Sequence, residues 1–376
     1  MRIKKPLALG LVSGIALTTF AVAAPAFADP VAGGYAAVGS DTLQDSMNAL
    51  TNGTKVTGTT VRIKAASGAA VGNFDAFGSA TIQTKSTGPF FTRPSGSGDG
   101  VSALIASIKG ATGSFKGTVI TDQVDIARTS SGPGSNANSA GLLAYVPYGR
   151  DAVAYAYYPD PAHPSDLANI DAATLKQIYS ADAPVTLGST VVKPLIPQPA
   201  SGTRKFFLSA IGVSTNATCG LTSCATTGSN ASVIPENDAS QLTQVGQIIP
   251  FSVANWVAQS NGAAPSTISG TSTVKVGTPT GVAPFSGTAP SLVPDSTYYA
   301  DTTWGRDTYL VVEYARIDSS SATYDADLAG LVKTTSATSL TNFSTTLNSQ
   351  PGSVKKKFGF LAPSSTTVQR AYATLP

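Results

Sequence analysis

Three times along this chain, a turn built of glycine and hydroxyl residues runs straight into a short helix with an apolar stripe. Gly39-Ser40-Asp41-Thr42 precedes Leu43 to Leu50, where Leu43, Met47 and Leu50 recur at helical spacing. Ser95-Gly96-Ser97-Gly98-Asp99-Gly100 precedes Val101 to Lys109, with Val101, Leu104, Ile105 and Ile108 on one face. Ser201-Gly202-Thr203-Arg204 precedes Lys205 to Ile211, striped by Phe207, Leu208 and Ile211. Asp171 to Tyr179 and Ser364 to Ala373 are spaced as two further helices. Strand-like runs lie between them at Val61 to Ala65, Val124 to Ala127, Ala152 to Tyr157, Val192 to Ile196 and Tyr309 to Tyr314. Strands alternating with helices predict α/β layers on largely parallel sheets.

Composition narrows the class further. Charged residues are 12% of the chain, about half the usual share, while the apolar share is 42%. A disordered chain needs high charge and few apolar residues, and a coiled coil needs Glu/Lys-rich heptads, so both are excluded. The length of 376 residues suggests two domains, each with enough chain for a core. The stretch 261–303 is dominated by Ser, Thr, Gly and Pro and reads as a long surface excursion.

Residues 1–28 read as a targeting segment. Arg2, Lys4 and Lys5 precede an apolar run to Ala24, and Ala26-Phe27-Ala28 is a small-x-small cleavage site before Asp29. This predicts export with cleavage near Ala28-Asp29. No cysteine stands there for a lipid anchor, and no second apolar run is long enough for membrane insertion. The 24 Lys and Arg, less the three that leave, balance the 21 Asp and Glu. Such neutrality gives no long-range attraction to nucleic acid or to anionic lipid, so any anion binding must be local.

The glycine and hydroxyl turns can supply such local binding. First-turn N–H groups of a helix are unpaired, the macrodipole adds partial positive charge, and glycine lets an anion approach the backbone. A single such turn is an ordinary N-cap; three, two of them near Arg93 or Arg204, point to an oxyanion. Catalytic patterns are missing: there is no Gly-x-Ser-x-Gly, no phosphate-loop Gly-x-x-x-x-Gly-Lys-Ser/Thr and no His-Glu-x-x-His. The one histidine, His163, sits between Ala162 and Pro164, so the expectation is no enzyme, no cofactor and no metal. Tyr155, Tyr157, Tyr158, Trp256 and Trp304 read as packing residues. Cys219 and Cys224 flank a four-residue Gly/Thr/Ser-rich loop, which in an oxidising exterior reads as a small disulfide.

The order of these motifs resembles the phosphate-binding proteins of ABC importers, in particular a secreted form of high-GC Gram-positive bacteria. The resemblance runs through the turns at Gly39 and Gly96, then Val124-Asp125-Ile126-Ala127-Arg128-Thr129-Ser130, then Leu175-Lys176-Gln177-Ile178-Tyr179. It continues through Pro197-Gln198-Pro199-Ala200-Ser201-Gly202-Thr203-Arg204 and Ile249-Pro250-Phe251-Ser252-Val253-Ala254 to a closing helix at Phe360-Leu361-Ala362-Pro363. The resemblance implies a type 2 periplasmic-binding fold, with two α/β lobes joined by two crossover strands around a central cleft. Lobe 1 would comprise 29–152 plus 309–376, and lobe 2 would comprise 153–308. Ser97 and Gly98 with Ser40 and Thr42 would bind phosphate from one lobe, and Ser201, Gly202 and Thr203 from the other. A monomer working with importer membrane subunits is the implied state.

Two positions depart from the pattern. Ser130 stands where the family has an aspartate that accepts the ligand's remaining proton, leaving Asp41 or Asp99 to substitute. Pro197 and Gln198 stand where the family often has an arginine, leaving Arg204, Arg93 or Arg128 to supply the charge. The primary expectation is a secreted solute-binding protein for inorganic phosphate or a related oxyanion, outside the cell or in its wall. The competing one is a secreted envelope or interaction protein that kept the fold and lost transport. A phosphate-ester hydrolase on the same scaffold would need a nucleophile or metal that the sequence does not offer.

Overall fold

The computed structural model describes residues 29–30, 33–181, 183–213, 234–268, 273–344 and 349–373. The targeting segment and Cys219 and Cys224 lie outside the described residues.

A nine-stranded sheet organises the chain. Its strands are β1 (Tyr35–Gly39), β2 (Val71–Asn73), β3 (Ile126–Thr129), β4 (Leu143–Tyr157), β5 (Lys193–Pro194), β6 (Gln247–Ser252), β7 (Lys275–Val276), β8 (Gly305–Glu313) and β9 (Gln369–Ala371). The path runs β5-β6-β4-β8-β3-β1-β2, and β7 and β9 also pair with β4. β1 is parallel to β2 and β3, and β5 is parallel to β6. Around β4 and β8 every pairing is antiparallel, so the sheet is mixed rather than largely parallel.

The reason lies in β4, a 15-residue strand that serves two parts of the molecule. Its first ten residues pair with β8, from Leu143 opposite Glu313 to Ala152 opposite Gly305. Its last five leave β8 and pair with β6, from Val153 opposite Ser252 to Tyr157 opposite Ile248. Its side chains are buried on both faces almost throughout, as a strand covered on both sides requires.

Three apolar clusters follow from this switch of partners. One is drawn from residues 152 to 304 and includes Tyr155, Tyr179, Phe207, Phe251 and Trp304. The other two lie on opposite faces of the β1, β3 and β8 region. Helix α1 (Gln44–Asn52) supplies Met47 and Leu50 to one of these faces, and α2 (Ser97–Ile108) supplies Leu104 and Ile105 to the other. Helices α3 (Ala172–Ser180) and α4 (Gly202–Ala210) supply Tyr179 and Phe207 to the 152–304 cluster, and α5 (Val253–Ser260) is shared, with Trp256 in that cluster and Ala254 and Ala258 in the one that holds Met47.

Several sequence expectations are redrawn. Residues 364–373 form no helix. Thr366, Thr367 and Val368 are β-branched, and β9 pairs Ala371 with Leu143 instead. The helix nearest the C-terminus spans Pro351–Lys357, before Phe360 rather than at it. Stretch 261–303 includes one surface hairpin among the described residues, Phe285–Ser286 with Val293–Pro294, but re-enters the core at Tyr298 and Tyr299. Tyr298 donates its hydroxyl to the Val153 carbonyl at 2.9 Å, and Tyr299 donates to Gly359 at 2.8 Å. The Tyr155 hydroxyl donates to Leu167 and accepts from the Ile170 N–H, as a packing residue would. No helix among the described residues is long and apolar enough to cross a membrane.

Candidate oxyanion site at the seam

The three helix-start turns converge on one buried seam. Ser97 opens α2, Thr42 lies in the single turn ahead of α1, and Ser201 caps α4 by accepting the Arg204 N–H at 3.0 Å. Thr42 Oγ1 and Thr203 Oγ1 meet at 3.4 Å across the seam. The Gly98 N–H donates to the Ala200 carbonyl at 3.0 Å, again from one side to the other. Ser97 Oγ accepts the Ser130 N–H at 3.0 Å and lies 3.2 Å from the Ser130 hydroxyl. Gly202 is required here, because a Cβ at that position would collide with the hydroxyls of Ser97 and Ser130. Glycine's role at this position is therefore close approach across the seam rather than an unusual backbone angle.

Sequence reasoning expected the charge from Arg93, Arg128 or Arg204. The structure does not bring Arg93 into the seam. Its guanidinium holds Asp29, the Asp75 carbonyl and Ser79. Arg128 is fully buried, but its donors go to the carbonyls of Ala37, Gly39, Ser40 and Phe74 and to Asn73 Oδ1. It fastens the turn that carries Ser40, and burial lowers its pKa to about 10. Arg204 donates to the Pro197 carbonyl at 3.1 Å and lines a cavity of about 340 Å³ at the seam's outer edge, together with Ser97, Ser201 and Gly202.

The cation in the seam is Arg306, at the start of β8. Its Nη2 lies 2.9 Å from Thr203 Oγ1 and 3.3 Å from Thr42 Oγ1, so it touches both sides. Nε and Nη2 also donate to Asp151 Oδ2 at 3.1 and 2.8 Å. Asp151 in turn accepts the Ser252 hydroxyl and the Ala254 N–H, each at 2.9 Å. Both partners are almost wholly buried, at 4% and 0% exposure. The sequence reading began this strand at Tyr309, four residues too late. Extending it to Gly305 places Arg306 directly opposite Asp151 across an antiparallel pair, which is the signal that would have found both.

A carboxylate was missed as well. An isolated parallel bridge between Pro197 and Ile234 brings Glu236 beside the start of α4. Glu236 Oε2 accepts the Ser201 hydroxyl and lies 3.4 Å from the Thr203 N–H. Burial raises its pKa, opposed by the Ser201 hydrogen bond and the Arg306 charge. Asp41 accepts from Asn237 Nδ2 at 2.8 Å, and burial, then the nearby Glu236, push its pKa well up. Asp99 turns away to Lys116 Nζ at 2.6 Å and to Ser95.

Among the described residues, four buried side-chain atoms have no hydrogen-bond partner: Ser40 Oγ, Gln198 Oε1, Glu236 Oε1 and Arg306 Nη1. Three of the four belong to residues of this seam or of the turn leading into it. Orphaned buried polar atoms are uncommon in native proteins, and each calls for a partner group or a structural reason. His163, by contrast, is exposed and pairs with Asp160.

The buried polar seam thus lies where β4 changes partner from β8 to β6, between the apolar cluster drawn from residues 152 to 304 and the two that flank β1, β3 and β8. No family model and no curated protein matches the chain. Among solved structures, it is similar to an ABC-type phosphate transport receptor from Vibrio cholerae. That match has 17% identity and a TM-score of 0.47, covering 88% of this chain and 100% of that one. A putative phosphate ABC transporter substrate-binding protein from Clostridium perfringens, with bound phosphate, gives 10% identity and 0.47 over 87% and 98%. A phosphate-binding protein from Stenotrophomonas maltophilia gives 14% and 0.45 over 89% and 91%.

Proposed function

We propose that the protein is a solute-binding protein that captures inorganic phosphate or a related oxyanion in the seam, for an ABC importer. The observation that carries this reading is the pair of buried, unpartnered donors, Arg306 Nη1 and Ser40 Oγ, in a seam lined by Thr42, Ser97, Ser201 and Thr203. Each buried donor without an acceptor costs about 1–3 kcal/mol, and a bound oxyanion supplies acceptors to both. On opening of the seam, the N–H groups at the starts of α2 and α4, which now serve Ala200, Glu236 and Ser201, and the surrounding hydroxyls become further donors without adding net charge. Capture needs no covalent step. Lobe 1 (29–152 plus 309–376) and lobe 2 (153–308) close by bending at β4 and β8, where the chain passes between them. On the same reading the mature chain is exported after loss of 1–28, closes a Cys219–Cys224 disulfide and works as a monomer.

The test is calorimetric titration of the dialysed mature protein with phosphate and then sulfate. Micromolar or tighter phosphate binding that is lost in Ser201→Ala and Thr203→Ala supports the reading. A second reading is favoured by one observation: Glu236 already sits on the Ser201 and Thr203 donors. There the seam is a permanent joint and the protein a secreted envelope or interaction protein. That reading expects no heat with either anion, even after unfolding and refolding to strip a co-purified ligand.

A further inference from the structure

Strand β4 carries one residue more than its pairing with β8 uses. From Leu143 opposite Glu313 to Pro147 opposite Tyr309 the two strands keep one register. From Gly149 opposite Thr308 they keep another, so Tyr148 is the extra residue. Continued without it, the first register would set Arg150, not Asp151, opposite Arg306. Two arginines would then face each other, and the β4 side chains beyond would exchange faces. This bulge therefore gives the seam its buried ion pair.

Pro147 favours a break here because it has no N–H for the ladder, but it does not hold the residue that follows. Tyr148 is held from outside the strand. Lys355, on the helix Pro351–Lys357, donates from Nζ to the Tyr148 carbonyl at 2.7 Å and to the Leu340 carbonyl at 3.1 Å. Its ammonium lies 4.4 Å from the centre of the Tyr148 ring and 4.9 Å from that of Phe343. The Tyr148 hydroxyl meets Ser46 Oγ at 2.8 Å, in the helix whose leading turn carries Thr42. Lys355 is fully buried and forms no ion pair among the described residues. Burial lowers its pKa, with no carboxylate opposing. A methionine would fill the same space without the cost of desolvating a charge.

We propose that Lys355 is a positioning residue for the seam: by giving the Tyr148 carbonyl a donor, it fixes the one-residue bulge that sets Asp151 opposite Arg306. It acts through strand register rather than by touching an anion. The Ser46 bond to the Tyr148 hydroxyl is the second anchor of the same bulge.

The experiment takes Lys355→Met, Tyr148→Phe and, as a control on the same helix, Val354→Ala, each alone and combined with Asp151→Asn, through thermal melts and phosphate titrations. In the wild type, Asp151→Asn is expected to lower Tm by about 6–10 °C. In the Lys355→Met background, where Asp151 has left Arg306, that loss should shrink to about half or less, whereas Val354→Ala should leave it whole, as independent sites do. Tyr148→Phe should shrink it in smaller measure. Phosphate affinity should fall by about tenfold or more in Lys355→Met and by less than about threefold in Val354→Ala. A crystal structure of Lys355→Met should show Asp151 displaced from Arg306. An undiminished Asp151→Asn loss in the Lys355→Met background, Asp151 still opposite Arg306 in that crystal, or wild-type phosphate affinity in that variant overturns the proposal. If Lys355→Met does not fold, Tyr148→Phe decides, and an undiminished Asp151→Asn loss there overturns the proposal. The affinity arm rests on the oxyanion reading above, while the melts and the crystal do not. If the wild type binds no phosphate, the oxyanion reading fails and the melts and the crystal still decide this inference. Phosphate binding with additive melts overturns this inference alone.

Discussion

Asp151→Asn is the substitution whose consequence follows most directly from the seam. Asp151 is wholly buried and is the counter-charge of Arg306, which is itself 4% exposed. The amide retains one acceptor for the Ala254 N–H or for the Ser252 and Arg306 donors, but not for all of them, and it carries no charge. Removing one partner of a buried ion pair costs about 3–5 kcal/mol, chiefly because the remaining charge is left uncompensated. At roughly 2 °C per kcal/mol for a chain of this size, the melting temperature should fall by about 6–10 °C. On the proposed oxyanion reading, phosphate would restore a counter-charge to Arg306, so its addition should raise the Tm of Asp151→Asn by more than it raises that of the wild type. At 100 times Kd, linkage alone gives about 2.7 kcal/mol. The double variant Asp151→Asn/Arg306→Met should be less destabilised than Asp151→Asn, since it leaves no buried cation. Thermal melts of the three proteins with and without phosphate supply every comparison. A Tm for Asp151→Asn within about 2 °C of wild type, where about 6–10 °C is expected, refutes the energetic reasoning. A phosphate rescue smaller than in the wild type refutes the placement of the anion beside Arg306.

Gly202→Ala should favour an exposed helix by about 0.5–1 kcal/mol, but here its methyl meets Ser97 and Ser130. Phosphate binding should weaken by about tenfold or more, and the radius of gyration measured with phosphate should exceed that of the wild type. Arg128→Lys leaves several buried carbonyls without a donor and should cost about 3 kcal/mol of stability in a denaturant melt. If instead it abolished binding at unchanged stability, Arg128 would be a ligand residue after all. Asp45 has its pKa raised to about 6, first by burial and then by Asp75. A raised carboxyl favours the fold below its unfolded pKa, near 4, and loses that contribution as pH climbs through 6. Asp45→Asn should therefore stabilise by about 1–2 kcal/mol at pH 8 and by little at pH 4, as read from paired melts.

The helix starts were legible because their signal is local. Ser97, Ser201 and Thr203 fall where a glycine and hydroxyl turn meets an apolar stripe, and the structure brings these turns together with Thr42. Arg306 and Asp151 were not legible, because their meaning comes from register between strands more than 150 residues apart in sequence. The proximity of Arg128 to the glycine turns misled for a related reason: sequence shows that a cation is near, not that carbonyls have already taken its donors. Glu236 was hidden because a single bridge, Pro197 to Ile234, places it. The C-terminal misreading shows local pattern yielding to tertiary pairing, since Gln369–Ala371 finds an open edge at Leu143–Tyr145.

The most direct test of the central claim is a crystal structure of the mature protein grown with arsenate, whose anomalous scattering locates the anion independently of any model. The account predicts one strong peak in the seam, within hydrogen-bond reach of Arg306 Nη1 and of the Ser201-Gly202-Thr203 turn. A seam without a peak, with Glu236 still seated on Ser201 and Thr203, would contradict it.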